Sequence, residues 1–125
     1  MTCVKTRFYF KHGVEGVKAK TKTMTRRRVD AWREGYTNKI KEAYETGSLL
    51  RAQTNYGTKT QFGWLKITNM YLQRFGDMPL TDVRREGFPE YSLKQFKELD
   101  CFEGCTDDTI MWVLEFDFFP LSINQ

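Results

Sequence analysis

Over residues 4–10 (VKTRFYF) polar and apolar positions alternate, so that Thr6, Phe8 and Phe10 share one face with the two-residue period of a strand. His12 and Gly13 interrupt that pattern. Residues 14–17 have room for one helical turn, weakened by Gly16. Residues 18–28 (KAKTKTMTRRR) are rich in bases and Thr, and β-branched Thr favours extended chain. The period then changes. Val29, Trp32, Tyr36, Ile40 and Ala43 or Tyr44 recur at helical spacing over 29–46, and Gly47 stands where such a helix would stop. Residues 49–54 and 62–71 read as strands on either side of a turn at Asn55-Tyr56-Gly57, and residues 75–79 (FGDMP) read as a loop. Thr81 and Ser92 are suitable N-caps for two short helices, 82–86 and 93–99. Residues 110–118 alternate again, with Ile110, Trp112, Leu114, Phe116 and Phe118 on a core-facing side. Pro120 ends that strand, and the last residues are expected to fray.

This order of elements predicts an α+β fold, a small mixed β-barrel with helices packed around it. A chain of 125 residues suits a single domain over 1–125. Ten Phe, six Tyr and three Trp supply large buried areas for its core. Tyr9, Trp64, Tyr71 and Trp112 sit at strand positions where aromatic residues are usually core, although exposed rings there could stack on bases. No apolar run approaches the roughly 18 residues that span a bilayer. The N-terminal residues lack the apolar stretch of a secretory signal, so a cytoplasmic protein without membrane contact is expected.

Charge changes the picture. Residues 1–60 hold 14 Lys and Arg against 5 Asp and Glu, whereas residues 61–125 hold 6 against 11. A basic half facing an acidic half points to a surface that meets phosphate or another anion. Three cysteines, Cys3, Cys101 and Cys105, argue against a disulfide framework. The sole histidine, His12, is remote from the Cys101/Cys105 pair, so neither a metal site nor a cofactor is expected. His12 reads as a turn residue, and the two thiols as ordinary ones on a short turn.

The candidate chemistry lies in two stretches. Lys20, Lys22, Thr23, Thr25, Arg26, Arg27 and Arg28 mix hydroxyls with guanidinium groups that grip phosphate through paired hydrogen bonds. A basic edge strand protected against aggregation would have the same composition. Around 81–88 (TDVRREGF), Glu86 ends a short helix. It reads by itself as a solvent-facing carboxylate, and as an acid or base if half-buried.

In combination these stretches resemble a family. Lys22-Thr23-Met24-Thr25-Arg26-Arg27 follows a first strand and a Gly-containing turn. Residues 80–88 then lead to Glu-Gly-Phe, and Trp112-Val113-Leu114-Glu115-Phe116 closes the pattern. The chain resembles the ASCH domains of the PUA-like superfamily over residues 5–119, least closely across 29–46, where its helix is longer. The resemblance implies RNA binding. It also implies, for some small bacterial members, a metal-independent amidohydrolase that deacylates N-acylated cytidine through a Lys, a Thr and a Glu. By motif these are Lys22, Thr25 and Glu86 here.

Two functions are therefore expected. One is an RNA- or nucleotide-binding module using Lys20, Thr23, Arg26, Arg27 and Arg28. The other is a nucleoside amidohydrolase using Lys22, Thr25 and Glu86. A regular strand turns residues 22 and 25 to opposite faces, so a working triad needs a bulge or a strand end. The oligomeric state is left open.

Overall fold

A computed structural model describes residues 2–121. Five strands form one sheet: β1 (Cys3–Phe10), β2 (Met24–Arg28), β3 (Leu49–Thr54), β4 (Gln61–Arg74) and β5 (Ile110–Pro120). Four helices accompany them: α1 (Val14–Lys18), α2 (Glu34–Thr46), α3 (Thr81–Arg85) and α4 (Leu93–Lys97). The strand order is β1-β3-β4-β5-β2. β1 runs parallel to β3, and the other three pairings are antiparallel. The architecture is thus mixed α+β, as expected.

The sheet does not close into the expected barrel. β1 and β2 remain its two edges. What meets across the seam is side chain: the Arg27 guanidinium lies 4.5 Å from the Phe8 ring centre and 5.2 Å from that of Phe10. A cation laid on aromatic faces occupies the gap where a β1–β2 ladder would run.

Two apolar clusters hold the layers together. The inner one joins Phe8, Phe10, Leu50, Ala52, Leu65, Ile67, Leu114 and Phe116 of the sheet to Val14 and Val17 of α1 and Ile40 and Ala43 of α2. The second packs Val83 and Phe96 of α3 and α4 with Phe75, Met78 and Phe102 against Met111, on the opposite side of β5. Burying each of these Phe side chains contributes roughly 1.5–3 kcal/mol.

Several boundaries differ from the sequence pattern for physical reasons. The periodic stretch 29–46 is a 3-10 turn (Val29–Ala31) followed by α2, because Trp32 and Arg33 take extended backbone. That break turns the Trp32 ring edge-on to Phe8 at 6.0 Å. Only the last five residues of 18–28 form a strand, since Lys18 completes α1 and Lys20 is left-handed at φ 63°. Thr81 lies inside α3 without a capping bond, and Leu80 takes the cap position. Ser92 does cap α4, in a reciprocal box with Gln95. Ile110 is 42% exposed instead of core, beyond the end of the inner cluster. Gly47 ends α2 at φ 69°, as the pattern predicted. The expected fraying concerns residues 122–125, which lie outside the described residues.

Candidate functional site

The short strand β2 presents two different faces. It pairs with β5 in the register Thr25↔Leu114 and Arg27↔Trp112, so Thr25 and Arg27 turn toward the inner cluster. Met24 and Arg26, paired with Glu115 and Val113, turn toward α3. The ladder continues to Thr23, whose carbonyl accepts from the Phe116 amide at 3.0 Å while its own amide donates to the Arg85 carbonyl at 2.8 Å.

On the α3 side lies a buried ionic cluster. Lys22 Nζ donates to Glu86 Oε1 at 3.2 Å, to the Glu86 carbonyl at 3.0 Å and to the Met24 carbonyl at 3.0 Å. Arg26 donates through Nη1 to Glu86 Oε2 at 2.7 Å and through Nη2 to Asp82 Oδ2 at 2.5 Å. The same Nη2 reaches Gln73 Oε1 at 2.7 Å. Two cations therefore face two carboxylates, and the Arg26 side chain is fully buried. Its Nε has no hydrogen-bond partner among the described residues. Glu86 is 2% exposed, unlike the solvent-facing carboxylate expected from its place on a helix.

Backbone makes room for the Lys22 stem. A Cβ at Gly13 would stand 3.1 Å from Lys22 Cδ, and one at Gly87 would stand 3.3 Å from Lys22 Cβ. Both glycines have positive φ, 76° and 99°, which L side chains rarely adopt. So α1 and the end of α3 clamp the lysine chain. Burial pushes the Lys22 ammonium below its ordinary pKa, opposed by its contact with Glu86 and reinforced by the charge of Arg27.

On the other face Thr25 Oγ1 accepts from Arg27 Nε at 3.3 Å. Among the described residues no hydrogen bond joins Thr25 to Lys22 or Glu86, and no carboxylate pairs with Arg27. Burial pushes the Arg27 pKa down, with Tyr36 and Glu86 acting in the opposite sense. Arg27 lines a cleft of about 330 Å³ together with Tyr9, Ala31, Trp32, Arg33 and Tyr36. Trp32 and Tyr36 meet edge to face at 5.1 Å. The Tyr36 hydroxyl donates to the Arg7 carbonyl at 2.6 Å, and burial raises its pKa to about 12.

The remaining predicted residues scatter around this centre. Lys20 is exposed, and with Lys22, Thr23, Phe116 and Phe118 it lines a smaller cavity of about 180 Å³. Arg28 pairs with Asp30 at 3.2 Å and donates to the Glu103 carbonyl at 3.3 Å. Lys22 and Glu86 are thus brought together, with Arg26 added to them. Thr25 joins Arg27 instead. Trp112 is core as expected, whereas Tyr9, Trp64 and Tyr71 are only half-buried. Cys3, Cys101 and Cys105 are free thiols.

Sequence reading missed Asp82, Gln73, Trp32 and Tyr36. A signal existed for two pairs. Asp82 and Glu86 are four apart, which stacks both carboxylates on one helix face, and Trp32 and Tyr36 have the same spacing.

The class this fold defines is a mixed α+β domain with a curled, open five-stranded sheet and a buried Lys/Arg/Asp/Glu cluster at one edge. A solved structure has a similar fold: protein EF3133 from Enterococcus faecalis V583, described as DUF984. It superimposes with a TM-score of 0.61 at 12% identity, covering 100% of this chain and 87% of that one. At such identity the likeness concerns the fold alone. No family model matches the chain, and no curated protein matches it. Among the described residues no helix is long and apolar enough to cross a membrane.

Proposed function

We propose that residues 1–125 are one ASCH-type, PUA-like domain whose open seam between β1 and β2 binds RNA or a nucleotide. The observation that carries this reading is Arg27: a half-buried guanidinium without a carboxylate partner among the described residues, in a cleft with Tyr9, Trp32 and Tyr36. A flat base fits among such rings, and a base carbonyl or phosphate oxygen would accept from the free Arg27 Nη groups. A volume of about 330 Å³ is at the small end of ligand pockets, which run roughly 300–1,000 Å³, and admits one nucleoside-sized group. Lys20 provides further positive charge on the same stretch of chain, whereas Arg28 is paired with Asp30. Arg26, committed to Glu86, Asp82 and Gln73, supports β2 rather than reaching the ligand. Titration calorimetry with the four ribonucleoside monophosphates tests this reading. Wild-type protein binds at least one of them and Arg27→Met does not; equal binding by both proteins overturns the assignment.

A second reading, the amidohydrolase, is favoured by the Lys22–Glu86 contact at 3.2 Å beside a lysine of lowered pKa. In it a deprotonated Lys22 takes the Thr25 hydroxyl proton, and the oxygen adds to the acyl carbon of N-acetylcytidine. The cytosine amine leaves with a proton, and water releases acetate from the acyl-threonine. In the resting arrangement all three Lys22 protons have acceptors and Thr25 is bonded to Arg27, so both must re-form their hydrogen bonds first. This is why binding is the preferred reading. Acetate release that disappears in Thr25→Ala and Lys22→Ala would reverse the preference.

A further inference from the structure

Outside the cleft, one half of the sheet has a face that no helix among the described residues covers. Among the described residues α1 and α2 contribute to the inner cluster, and α3 and α4 to the cluster against Met111. The outer face of β1, β3 and β4 is left over. Its residues follow from the registers: Arg7 pairs with Arg51, Tyr9 with Gln53, Arg51 with Trp64, and Leu49 with Lys66. Their strand neighbours Phe8, Phe10, Leu50, Ala52 and Leu65 point into the inner cluster, which fixes which face is which.

The chemistry of this face is one-sided. β1, β3 and β4 contain no Asp or Glu. Lys5 and Arg7 are exposed, and Lys59 stands 5.4 Å from the Tyr9 ring centre. Buried Arg51 Nε has no hydrogen-bond partner among the described residues. Asp117, the register partner of Lys66 on β5, marks the acidic border. Tyr9 and Trp64 are half-buried yet belong to neither core cluster. With neighbouring strands about 4.8 Å apart and a rise of about 3.3 Å per residue, the backbone positions of these two residues lie roughly 12 Å apart.

We infer that the outer face of β1–β3–β4 is a docking platform for single-stranded nucleic acid, with Trp64 and Tyr9 as stacking positions and Arg7, Arg51, Lys59 and Lys66 along the backbone path. Aromatic rings standing on a carboxylate-free, basic sheet face meet both needs of a single strand: π-faces for bases and cations for phosphates. A duplex keeps its bases stacked inside and cannot use the rings. The platform adjoins the Arg27 cleft through Tyr9, but Trp64 does not line that cleft, so the two proposals fail separately.

The test is fluorescence anisotropy of the whole chain with labelled oligonucleotides of about 12 nucleotides: single-stranded RNA, single-stranded DNA of the same sequence, and duplex RNA. Both single strands bind better than the duplex, and RNA exceeding DNA would indicate use of the 2′-hydroxyl. Affinity falls steeply between about 50 and about 200 mM salt. Trp64→Ala weakens binding about tenfold. The pair Arg7→Glu and Lys59→Glu lowers the salt slope by about one to two. Mononucleotide binding by Trp64→Ala stays at the wild-type level, and its thermal midpoint and Trp64→Phe check that the fold is intact. Wild-type affinity in these variants, equal affinity for the duplex, or binding to anionic vesicles alone overturns the inference, whatever the cleft proves to bind.

Discussion

Lys22 and Glu86 meet twice, through the carboxylate at 3.2 Å and through the main-chain carbonyl at 3.0 Å. The carbonyl bond survives substitution of the acid; the ion pair does not. Among the described residues, Glu86→Gln leaves Lys22 without a carboxylate partner and Arg26 with Asp82 alone, in a dry site. Breaking a buried pair from one side costs about 3–5 kcal/mol. Urea unfolding of Glu86→Gln should show a loss of that size. Lys22→Met should cost less, because Glu86 keeps Arg26. A double-mutant cycle should give a coupling of at least about 1 kcal/mol. Additive losses would mean that the pair contributes nothing beyond its separate members.

Gly87 tests whether the lysine clamp matters. Alanine there meets both a φ of 99° and Lys22 Cβ at 3.3 Å. Gly104 has a φ of 82° with open space around it, so Gly104→Ala carries the backbone strain alone. Each left-handed alanine costs about 1–3 kcal/mol. The excess of Gly87→Ala over Gly104→Ala in thermal unfolding then reports the contact with Lys22. Equal losses would show that the stem yields without cost.

How much of this was legible beforehand depends on what each residue type reveals. Leu49–Thr54 was readable to the residue, because a turn and a helix-stopping glycine bracket it. The extent of α2 was not, because the periodicity at Val29 and Trp32 continues through a stretch whose backbone breaks to seat Trp32 on Phe8. Lys22, Arg26, Arg27 and Glu86 were visible as residue types in a familiar order. Their partition into two faces was visible only as a difficulty. Nothing local reveals that Arg26 would choose Asp82 and Glu86, 56 and 60 positions away. Ion pairing across such distances is set by the packing of α3 on β2. The closed barrel failed for a related reason: the seam is filled by the Arg27 side chain, and strand patterns do not encode which edges remain unpaired.

Tyr36 carries a pH signature. Burial raises its folded pKa to about 12 from 10.0. A raised pKa means that the folded state holds its proton more tightly than the unfolded chain. The corresponding stability is complete below about pH 10 and is lost as pH rises through about 12. Tyr36→Phe removes this dependence, along with the hydrogen bond to the Arg7 carbonyl. The variant should be less stable than wild type at neutral pH, by about 0.5–1.5 kcal/mol, and the gap should narrow between pH 10 and pH 12. Absorbance titration of wild type should show one tyrosine ionising late that is missing in the variant. A constant gap across that range would place the phenol in an ordinary environment.

Arg27 should separate stability from binding. Burial lowers its pKa, Tyr36 and the charge of Glu86 oppose that shift, and two aromatic faces lie beneath the guanidinium. Removing the cation relieves desolvation and forfeits a cation–π contact of about 0.5–2 kcal/mol. These effects oppose each other, so Arg27→Met should move folding stability by less than about 1 kcal/mol in either direction. Binding has no such compensation. A ligand oxygen that accepts from a charged donor gains about 1.5–3 kcal/mol, tenfold or more in affinity, and Met offers no donor. Arg27→Lys keeps the charge but loses the planar pair of donors, so it should recover only part of the affinity. Arg28→Ala, whose side chain is spent on Asp30 and the Glu103 carbonyl, serves as the comparison and should change affinity by less than about threefold. Calorimetry for binding and urea unfolding for stability, run on the same three variants, decide the matter. Parallel losses in both would make Arg27 a structural plug of the seam rather than a ligand contact.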